Sequence, residues 1–406
     1  MTLYARLHTG DHATLVIKYI RPWGMNMERC LILSNAFDIH TYAVKWAIER
    51  LGAAADVWVL PDFPSIQCSS LLEDKNNDED TWVIRGPNAD LHKNNNYKTV
   101  WLRRVPYTFP VDDKLHPADV DIVQRESRHF IKGTLNTILS GAFWVNPVWA
   151  HEASQYKILQ TRKAKEVGLN IPNTLYSNDP CEIEKFIKSN NGVVLKSFLP
   201  IGWHKKENLY RLWTTPISLN QIYDARNSIT KCCSIYQSAI DKAFEVRLTI
   251  MGNTFFAAKI ESQKIDSLHN DWRQSPADLK ALKFPYIEIP LDIKEKCKDL
   301  IKKLNLVFGC IDFIVTPDNK YVFLEINEMG QFLFIEHYNR KIPMLQAFTL
   351  FLISRNPEFM FESEVDKDIS FEKFYESDTY QKKFKMLEKE HRYYNPDLFP
   401  DDEMRI

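Results

Sequence analysis

Two carboxylates and an amide are spaced in the last third of the chain so that they could share one metal ion. If Asp318 and Asn319 form the centre of a two-residue turn, Asp312 lies directly opposite Glu325 in a β-hairpin. Side chains alternate along a strand, so Asn327 points to the same face as Glu325. Like charges opposite each other in a sheet are destabilising, and a bound cation would reverse that effect. Oxygen ligands of this kind suit Mg²⁺.

The alternative interpretation of this segment is an exposed hairpin with solvated acids, because acidic residues usually lie in water. The residues that flank the acids argue against it, since they are apolar at Ile311, Phe313, Ile314, Val322, Leu324 and Ile326. A strand with so many apolar residues is mostly buried, and a buried charge needs a partner.

Two lysines are candidate phosphate ligands. Lys157 lies in a predicted helix over 150–167, where an exposed lysine is the simpler interpretation. Lys196 ends a predicted strand of valine and leucine over 192–197. For Lys196, a phosphate contact and a side chain that reaches solvent from an edge strand both remain open.

Two arginines add further charge. Arg247 shares a strand face with Glu245, and an ion pair between them is the simple interpretation. Arg273 follows Asp271 and Trp272. An arginine beside a metal site can also stabilise a phosphoryl group in transfer. Together with the paired acids and the lysines, these residues indicate phosphoryl transfer.

The elements that must position these residues follow from the apolar periodicity. A βαβ unit opens the chain, which favours a parallel sheet, and polar stretches at 69–80 and 86–97 are predicted to be loops. The predicted strands are 30–34, 56–60, 98–102, 171–175, 192–197, 235–240, 244–250 and 254–260. The predicted helices, besides the one that links the first two strands, are 117–140, 150–167, 180–189, 293–304 and a C-terminal segment near 370–391.

Composition limits the classes of function. The chain has 406 residues, enough for two or three domains, and a formal net charge of −1. Bulk charge therefore gives no indication of nucleic-acid binding, and no apolar run has membrane-spanning length. The seven cysteines are odd in number and form no CxxC pair. This pattern favours a reducing, cytoplasmic compartment.

The order of these residues resembles the ATP-grasp superfamily. Within it, the chain is similar to the graspetide maturases, ligases that form ω-ester and ω-amide links in peptides of the microviridin and marinostatin types. The resemblance extends over 27–355. Its motifs are Arg103-Arg104-x-Pro106, Lys157, Lys196, Tyr236–Ile240, Glu245-x-Arg247, Glu261-Ser-Gln263, Asp271-Trp-Arg273, Gly309–Phe313 and Glu325-x-Asn327.

The resemblance implies a fold of the α/β class, with α+β character in the ligase part. A pre-ATP-grasp domain with a parallel sheet is expected at 27–140. A two-subdomain ATP-grasp fold is expected after it, with a central subdomain at 141–236 and a C-terminal subdomain with the metal site at 237–355. The remaining segments, 1–26 and 356–406, are expected to be terminal extensions.

The resemblance also implies roles for individual residues. Lys157 and Lys196 would contact ATP phosphates, with Lys196 also near the adenine. The backbone of the hinge residues would bind adenine, and the next residue would contact the ribose; these are Tyr236, Gln237, Ser238, Ala239 and Ile240, then Asp241. One or two Mg²⁺ ions would be held by Asp312, Glu325 and Asn327. Arg247 and Arg273 would stabilise the γ-phosphate and the acyl phosphate. One departure is Glu328, where related sequences often have proline.

The function expected from the resemblance is ATP-dependent macrocyclisation of a ribosomally made precursor peptide, consisting of leader and core. Two alternatives remain: a RimK-like ligase that adds amino acids to a protein or small acid, and an ATP-binding scaffold without catalysis. A homodimer and a cytoplasmic location are expected, with neither nucleic acid nor membrane as partner.

Overall fold

The computed structural model describes residues 28–384 apart from short gaps at 77–80, 87–88, 107–108, 110, 113, 200–201, 206–207, 270 and 274–280. The predicted extension at 1–26 and the end of the tail lie outside the described residues. Among the described residues, no helix is both long enough and apolar enough to cross a bilayer.

The N-terminal part contains a four-stranded parallel sheet. Its strands, in the order β2-β1-β6-β7, are β2 (Ala54–Val59), β1 (Arg29–Ser34), β6 (Tyr97–Leu102) and β7 (Phe143–Val145). Helix α1 (Ile39–Arg50) connects β1 to β2, so the predicted βαβ unit is present. Asp38 starts this helix, because its carboxylate accepts a hydrogen bond from the Thr41 backbone N–H. Helix α2 (Val120–Thr137) precedes β7.

The prediction that the two polar stretches are loops is wrong in part. They contribute to a small antiparallel sheet formed by β3 (Cys68–Leu72), β4 (Thr81–Gly86) and β5 (Ala89–His92). Trp82 and Ile84 of β4 are buried, while the residues next to them are more exposed. Strand pairing satisfies the backbone of these short segments, and their Asn- and Asp-rich flanks concealed that alternation in the sequence.

The second sheet is antiparallel and has the order β12-β9-β13-β8. Its strands are β8 (Thr174–Ser177), β9 (Val193–Lys196), β12 (Thr215–Ile217) and β13 (Ser234–Ser238). Helices α5 (Pro180–Lys188), α6 (Leu219–Asp224) and α7 (Arg226–Ile229) accompany it, and a separate hairpin is formed by β10 (Gly202–Lys205) and β11 (Asn208–Arg211). Lys196 is paired with Ile235 of β13, which places this lysine beside the predicted adenine-binding strand.

The third sheet carries the predicted metal ligands. Its order is β15-β14-β16-β17, with β14 (Phe244–Met251), β15 (Thr254–Ile260), β16 (Phe308–Val315) and β17 (Tyr321–Asn327), all antiparallel. Helix α8 (Leu291–Lys303) buries Ile293, Cys297 and Leu300 in the same hydrophobic cluster as the apolar face of this sheet. The opposite face carries Arg247 and Asp312, and it also places Phe308 and Cys310 in a second hydrophobic cluster.

The predicted helix over 150–167 is two helices, α3 (Val148–Ser154) and α4 (Lys157–Glu166). Tyr156 between them has extended backbone angles, and the Gln160 side-chain amide donates to the Ser154 carbonyl at 2.6 Å. This bond satisfies a carbonyl group at the end of α3. Lys157 is consequently the first residue of a helix rather than a residue in the middle of one.

The predicted two-residue turn between β16 and β17 is wrong. The Thr316 N–H donates to the Lys320 carbonyl at 3.0 Å, so the loop between them has three residues, Pro317 to Asn319. Asn319 has a φ of 60°, the left-handed conformation that commonly ends a three-residue hairpin loop.

A β-bulge restores the predicted pairing of the two acids. Phe313 is paired with Phe323, but Asp312 is paired with Glu325, so Leu324 is an extra residue in β17. A shift of one residue moves every following side chain to the other face of a strand. Without the bulge, Asp312 would face Leu324. The loop with one more residue than predicted shifts the pairing by one position, and the bulge shifts it back. The two carboxylates therefore lie opposite each other as predicted.

Three helices and a tail complete the described chain. They are α9 (Leu333–Tyr338), α10 (Met344–Ser354) and α11 (Phe371–Glu376), followed by a π-helical turn at Thr379–Phe384. The tail packs against the N-terminal part, with the Phe374 and Trp46 ring centroids 5.9 Å apart. The predicted helix over 370–391 is therefore short and interrupted, and its last residues lie outside the described range.

Candidate functional site

The paired acids of β16 and β17 lie at the centre of a charged cluster. Both carboxylate oxygens of Asp312 accept hydrogen bonds from Arg247 Nη1, each at 2.8 Å. Glu325 forms an ion pair with Lys157, and Arg273 Nη1 lies 3.9 Å from Glu325 Oε1. Asn327, two residues further along β17, accepts a hydrogen bond from the Gly330 N–H at 2.9 Å. Three predicted cations thus converge on the predicted metal ligands.

The two carboxylates differ in their electrostatic environment. The positive charges of Lys157 and Arg273 hold the pKa of Glu325 well below its usual range, although burial acts in the opposite direction. Burial raises the pKa of Asp312, and the charge of Arg247 opposes this effect. Glu325 is therefore the more firmly ionised of the pair.

Lys196 completes this cluster from the second sheet. Lys196 is half-buried as a residue, and burial lowers the pKa of its ammonium to about 8. The charges of Glu325, Lys157 and Arg273 also act on it, which shows that the lysine lies within electrostatic range of all three. The cluster contains four cations and three carboxylates, namely Lys157, Lys196, Arg247 and Arg273 with Asp271, Asp312 and Glu325. This surplus of positive charge suits an anionic ligand such as a polyphosphate.

Arg273 is held by its own loop. Its Nε and Nη2 each donate to the Asp271 carboxylate at 2.9 Å in a bidentate pair, and its backbone N–H donates to the same group at 3.1 Å. Asp271 is buried, whereas Arg273 is exposed. A fixed but accessible guanidinium can reach a ligand without leaving its carboxylate partner.

The predicted nucleotide-binding segment is placed beside Lys196. Tyr236 and Gln237 are buried in β13, and Gln237 Nε2 donates to Thr174 Oγ1 at 3.2 Å. Ala239 donates its N–H to the Gly192 carbonyl at 3.0 Å just after Ser238, the last residue of the strand. The partly buried Ile240 and the exposed Asp241 follow on the way to the third sheet. This location, between two sheets, is suitable for a ligand that contacts both.

Two further expectations have a different outcome. Glu245 does not pair with Arg247 on the strand face they share: its carboxylate accepts from Lys242 Nζ at 2.9 Å and from Ser262 Oγ at 2.5 Å. Glu328, the departure from the family pattern, is 5% exposed and its Oε1 lies 3.0 Å from His151 Nδ1. Its carboxylate is therefore directed at a buried histidine.

Three residues bond to the strand of the predicted metal ligands or to the loop after it, and none of them could be assigned this role from the sequence, although Arg103 belongs to a family motif. The Gln160 side chain bonds to both the N–H and the carbonyl of Ile326. Asn146 Nδ2 donates to the Glu328 carbonyl at 2.7 Å, and Arg103 Nη1 donates to the Gly330 carbonyl at 2.7 Å. For Gln160 and Asn146 the only sequence signal was their polar character next to apolar patterns, and for Arg103 it was the family motif. Neither signal identifies a partner more than 160 residues away.

The donor chemistry fits Mg²⁺. Two opposed carboxylates and an amide oxygen are supplied by neighbouring strands, and Mg²⁺ typically takes one or two carboxylates and completes its shell with water and substrate phosphates. Across the described residues, no cluster of three or more His, Cys, Asp and Glu side chains is arranged for a metal ion.

Comparisons with known proteins show which solved structures have a similar fold. No family model matches the chain, and no curated protein sequence matches it. Solved structures do. Macrocyclase MdnC from Microcystis aeruginosa MRC, bound with precursor peptide MdnA, is 27% identical with a TM-score of 0.70; the match covers 80% of this chain and 99% of that one.

Two further structures have the same fold. A Chryseobacterium gregarium RiPP-associated ATP-grasp ligase, in complex with ADP and a leader and core peptide, is 23% identical with a TM-score of 0.73, covering 82% of this chain and 98% of that one. ATP-grasp ligase PsnB, complexed with a phosphomimetic variant of its minimal precursor, Mg and ADP, is 18% identical with a TM-score of 0.61, covering 81% and 98%.

The chain thus has the fold of the ATP-grasp ligases, and this similarity supports an ATP-dependent ligase. Within that class, the similar structures are RiPP-associated ligases and macrocyclases, which supports the resemblance to graspetide maturases expected from the sequence motifs.

Proposed function

We propose that the protein is an ATP-dependent peptide macrocyclase. It activates Asp or Glu side chains of a precursor peptide as acyl phosphates and links them to Ser or Thr hydroxyls or to Lys amines. The observation that carries this proposal is the convergence of the Asp312–Glu325 pair with Arg247, Lys157 and Arg273. A second support is that structurally similar enzymes, MdnC among them, are bound with precursor peptides.

The first step is transfer of the γ-phosphoryl group. A peptide carboxylate oxygen attacks the γ-phosphorus, the bond to the β–γ bridging oxygen breaks, and ADP leaves. Lys157 and Lys196 bind the phosphates, while Arg247 and Arg273 stabilise the charge of the group in transfer. Mg²⁺ held by Asp312, Glu325 and Asn327 would neutralise charge on the phosphate oxygens. Lys157 pairs with Glu325 in the structure, and on nucleotide binding it would exchange this carboxylate for a phosphate.

The second step is acyl transfer within the peptide. A hydroxyl oxygen or amine nitrogen attacks the acyl carbon, the bond from that carbon to the phosphate oxygen breaks, and inorganic phosphate leaves. The proton of the nucleophile passes to solvent. The protein's task in both steps is to orient the reactants, because the chemistry requires no covalent bond to the enzyme.

The decisive experiment combines two measurements on one reaction. The purified protein is incubated with ATP, Mg²⁺ and each short peptide encoded beside its gene, and ADP release and peptide mass are followed. We expect peptide-dependent ADP release and loss of the mass of one water per linkage. Alkaline hydrolysis then distinguishes ester from amide, because only the ester is cleaved readily.

The metal assignment has its own test in the same assay. Glu325→Ala and Asn327→Ala should abolish ADP release, because each removes a predicted metal ligand. Asp318→Ala is the matched control, since Asp318 is an exposed acid on the loop of the same hairpin. Undiminished turnover in the two ligand variants would reject the assignment.

The two alternatives give different products. A RimK-like ligase would add the mass of an amino-acid residue to its acceptor rather than remove water. A scaffold without catalysis would bind ATP without peptide-dependent ADP release. Neither alternative is favoured by an observation in the described residues.

We also propose a division of the chain into 27–140, 141–236, 237–355 and the tail 356–406, after an N-terminal extension at 1–26. The grouping of strands into separate sheets supports this division. Two boundaries shift slightly, since β7 at Phe143–Val145 belongs to the N-terminal sheet and β13 continues to Ser238. A homodimer and a cytoplasmic location are retained as proposals, and light scattering on the purified protein tests the first.

A further inference from the structure

The side-chain amide of Gln160 is bonded to the strand that carries two of the proposed metal ligands. Its Nε2 donates to the Ile326 carbonyl at 2.9 Å, and its Oε1 accepts from the Ile326 N–H at 3.1 Å. The same Nε2 donates to the Ser154 carbonyl at 2.6 Å. Gln160 is 4% exposed. One buried side chain thus pairs both backbone groups of the residue between Glu325 and Asn327.

The position of β17 explains why such a contact is needed. This strand is the last in the sheet order β15-β14-β16-β17, so one of its edges has no neighbouring strand in that sheet. Unpaired backbone groups in a buried setting are costly. Asn170 covers the beginning of that edge, where its carbonyl accepts from the Phe323 N–H at 2.8 Å and its side chain donates to the Tyr321 carbonyl at 3.2 Å. Gln160 covers the end that carries the ligands.

The helix that supplies Gln160 also supplies a direct contact to a ligand. Lys157, three residues earlier and one turn away in α4, pairs with Glu325. Asn146 fixes the chain on the far side, through its bond to the Glu328 carbonyl. The backbone is therefore fixed at Ile326, between Glu325 and Asn327, and again at Glu328, just after Asn327.

We propose that Gln160 is a positioning residue for the metal site. By fixing the peptide groups on both sides of Ile326, it keeps the Glu325 and Asn327 side chains directed to the same face as Asp312. This inference rests on the proposed metal site. Outer contacts that orient metal ligands typically change metal affinity by about 10- to 100-fold when they are removed, and a loss in this range is expected for Gln160.

Direct metal binding tests the inference without relying on turnover. Mn²⁺ replaces Mg²⁺, and its binding to the full-length protein with saturating ADP is measured by electron paramagnetic resonance. Gln160→Met keeps the size of the side chain and removes both hydrogen bonds to Ile326. We expect its Mn²⁺ dissociation constant to rise by about 10- to 100-fold. The Mg²⁺ concentration that gives half-maximal ADP release should rise with it.

Asn170→Ala is the matched control. It removes a contact to the same strand edge but at Tyr321, away from the ligands. It should lower thermal stability and leave Mn²⁺ affinity unchanged, which separates positioning from a purely structural role. If Gln160→Met does not fold, Gln160→Asn, which is one methylene shorter, is measured in its place.

The outcomes separate this inference from the proposed function. Normal Mn²⁺ affinity in a folded Gln160 variant, with weak binding in Asn327→Ala, would overturn the positioning role alone. Absence of Mn²⁺ binding by the unmodified protein with ADP would instead overturn the metal site on which both depend. Weakened binding in Gln160→Met but not in Asn170→Ala would establish the role.

Discussion

At the scale of single residues, the site is defined by how each charge is compensated. Arg247 is 5% exposed and bonds to both oxygens of Asp312, so the guanidinium and the carboxylate are fixed relative to each other. Lys196 is different, because burial lowers its pKa while the nearby Lys157 and Arg273 add repulsion. An anionic ligand would stabilise the charged form of such a lysine strongly, since it would give the buried ammonium an opposite charge.

This state of Lys196 predicts a pH dependence of nucleotide binding. Its pKa is about 8, so the ammonium is present below that pH and is lost above it. The affinity for ADP should therefore fall between pH 7 and pH 9, by about tenfold if one charge-assisted hydrogen bond is lost. Titration calorimetry at each pH measures the effect.

The matched control for this pH dependence is Lys196→Arg, whose guanidinium stays charged throughout the range. Its ADP affinity should change little between pH 7 and pH 9. Equal slopes for the two proteins would mean that another group is responsible.

At the scale of elements, buried polar side chains join segments that are distant in sequence. Glu336 in α9 is 4% exposed; its Oε2 accepts from the Leu345 N–H at 2.7 Å and its Oε1 from the Phe371 N–H at 2.6 Å. One carboxyl group thus connects α9, α10 and the tail helix α11. Burial raises its pKa to about 7, although these backbone donors oppose the shift.

Glu336 predicts that stability falls as the pH rises. Its folded-state pKa of about 7 lies above the ordinary value of 4.5, so the folded chain holds this proton more tightly than the unfolded chain. The stabilising contribution is fully present below about pH 4.5 and is lost as the pH rises to about 7. Urea unfolding at pH 5 and pH 8 should show this decrease, and Glu336→Gln should reduce it. An identical pH profile in the variant would contradict the assignment.

At the scale of the whole molecule, the N-terminal part is bonded to the loop that follows the proposed metal ligands. Asp38 accepts from Arg103 Nε at 3.1 Å, and Arg103 Nη1 donates to the Gly330 carbonyl at 2.7 Å. Gly330 has a φ of 59°, and a Cβ there would lie 2.7 Å from Phe308, so only glycine fits at this crossing. His40 accepts from the Phe332 N–H at 3.3 Å, and burial lowers its pKa, which keeps the ring neutral and able to accept.

Removing Arg103 should therefore affect the whole molecule. Arg103→Met leaves the buried Asp38 with less compensation and the Gly330 carbonyl without this donor, so we expect a loss of about 3–5 kcal/mol in unfolding free energy. Urea unfolding measures it. Arg104→Met is the control, because Arg104 also bonds to Asp38 but is more exposed, and its cost should be smaller. Equal losses in both variants would contradict a special role for the Arg103 connection.

The sequence by itself predicted most of the strands of the third sheet and which of their polar residues share a face. Glu325 and Asn327 could be placed on one strand face because alternation is a local property of the chain. The opposition of Asp312 and Glu325 was predicted from a turn that is wrong. The predicted turn was one residue too short, and the pairing held only because the bulge at Leu324 compensates for it. The small sheet of β3 to β5 was missed because its strands are short and its flanks have loop composition.

Only the tertiary structure decided which groups contact the strand of the predicted ligands and the loop after it. Gln160 and Ile326 are 166 residues apart, and Arg103 and Gly330 are 227 apart. Such contacts follow from how the sheets and helices pack, since a buried amide or guanidinium must find partners wherever the fold brings them. Spacing along the chain specifies which side chains share a face, but it does not specify what lies across from that face. The residue types of the site could thus be predicted from the sequence, whereas the distant contacts that surround them could not.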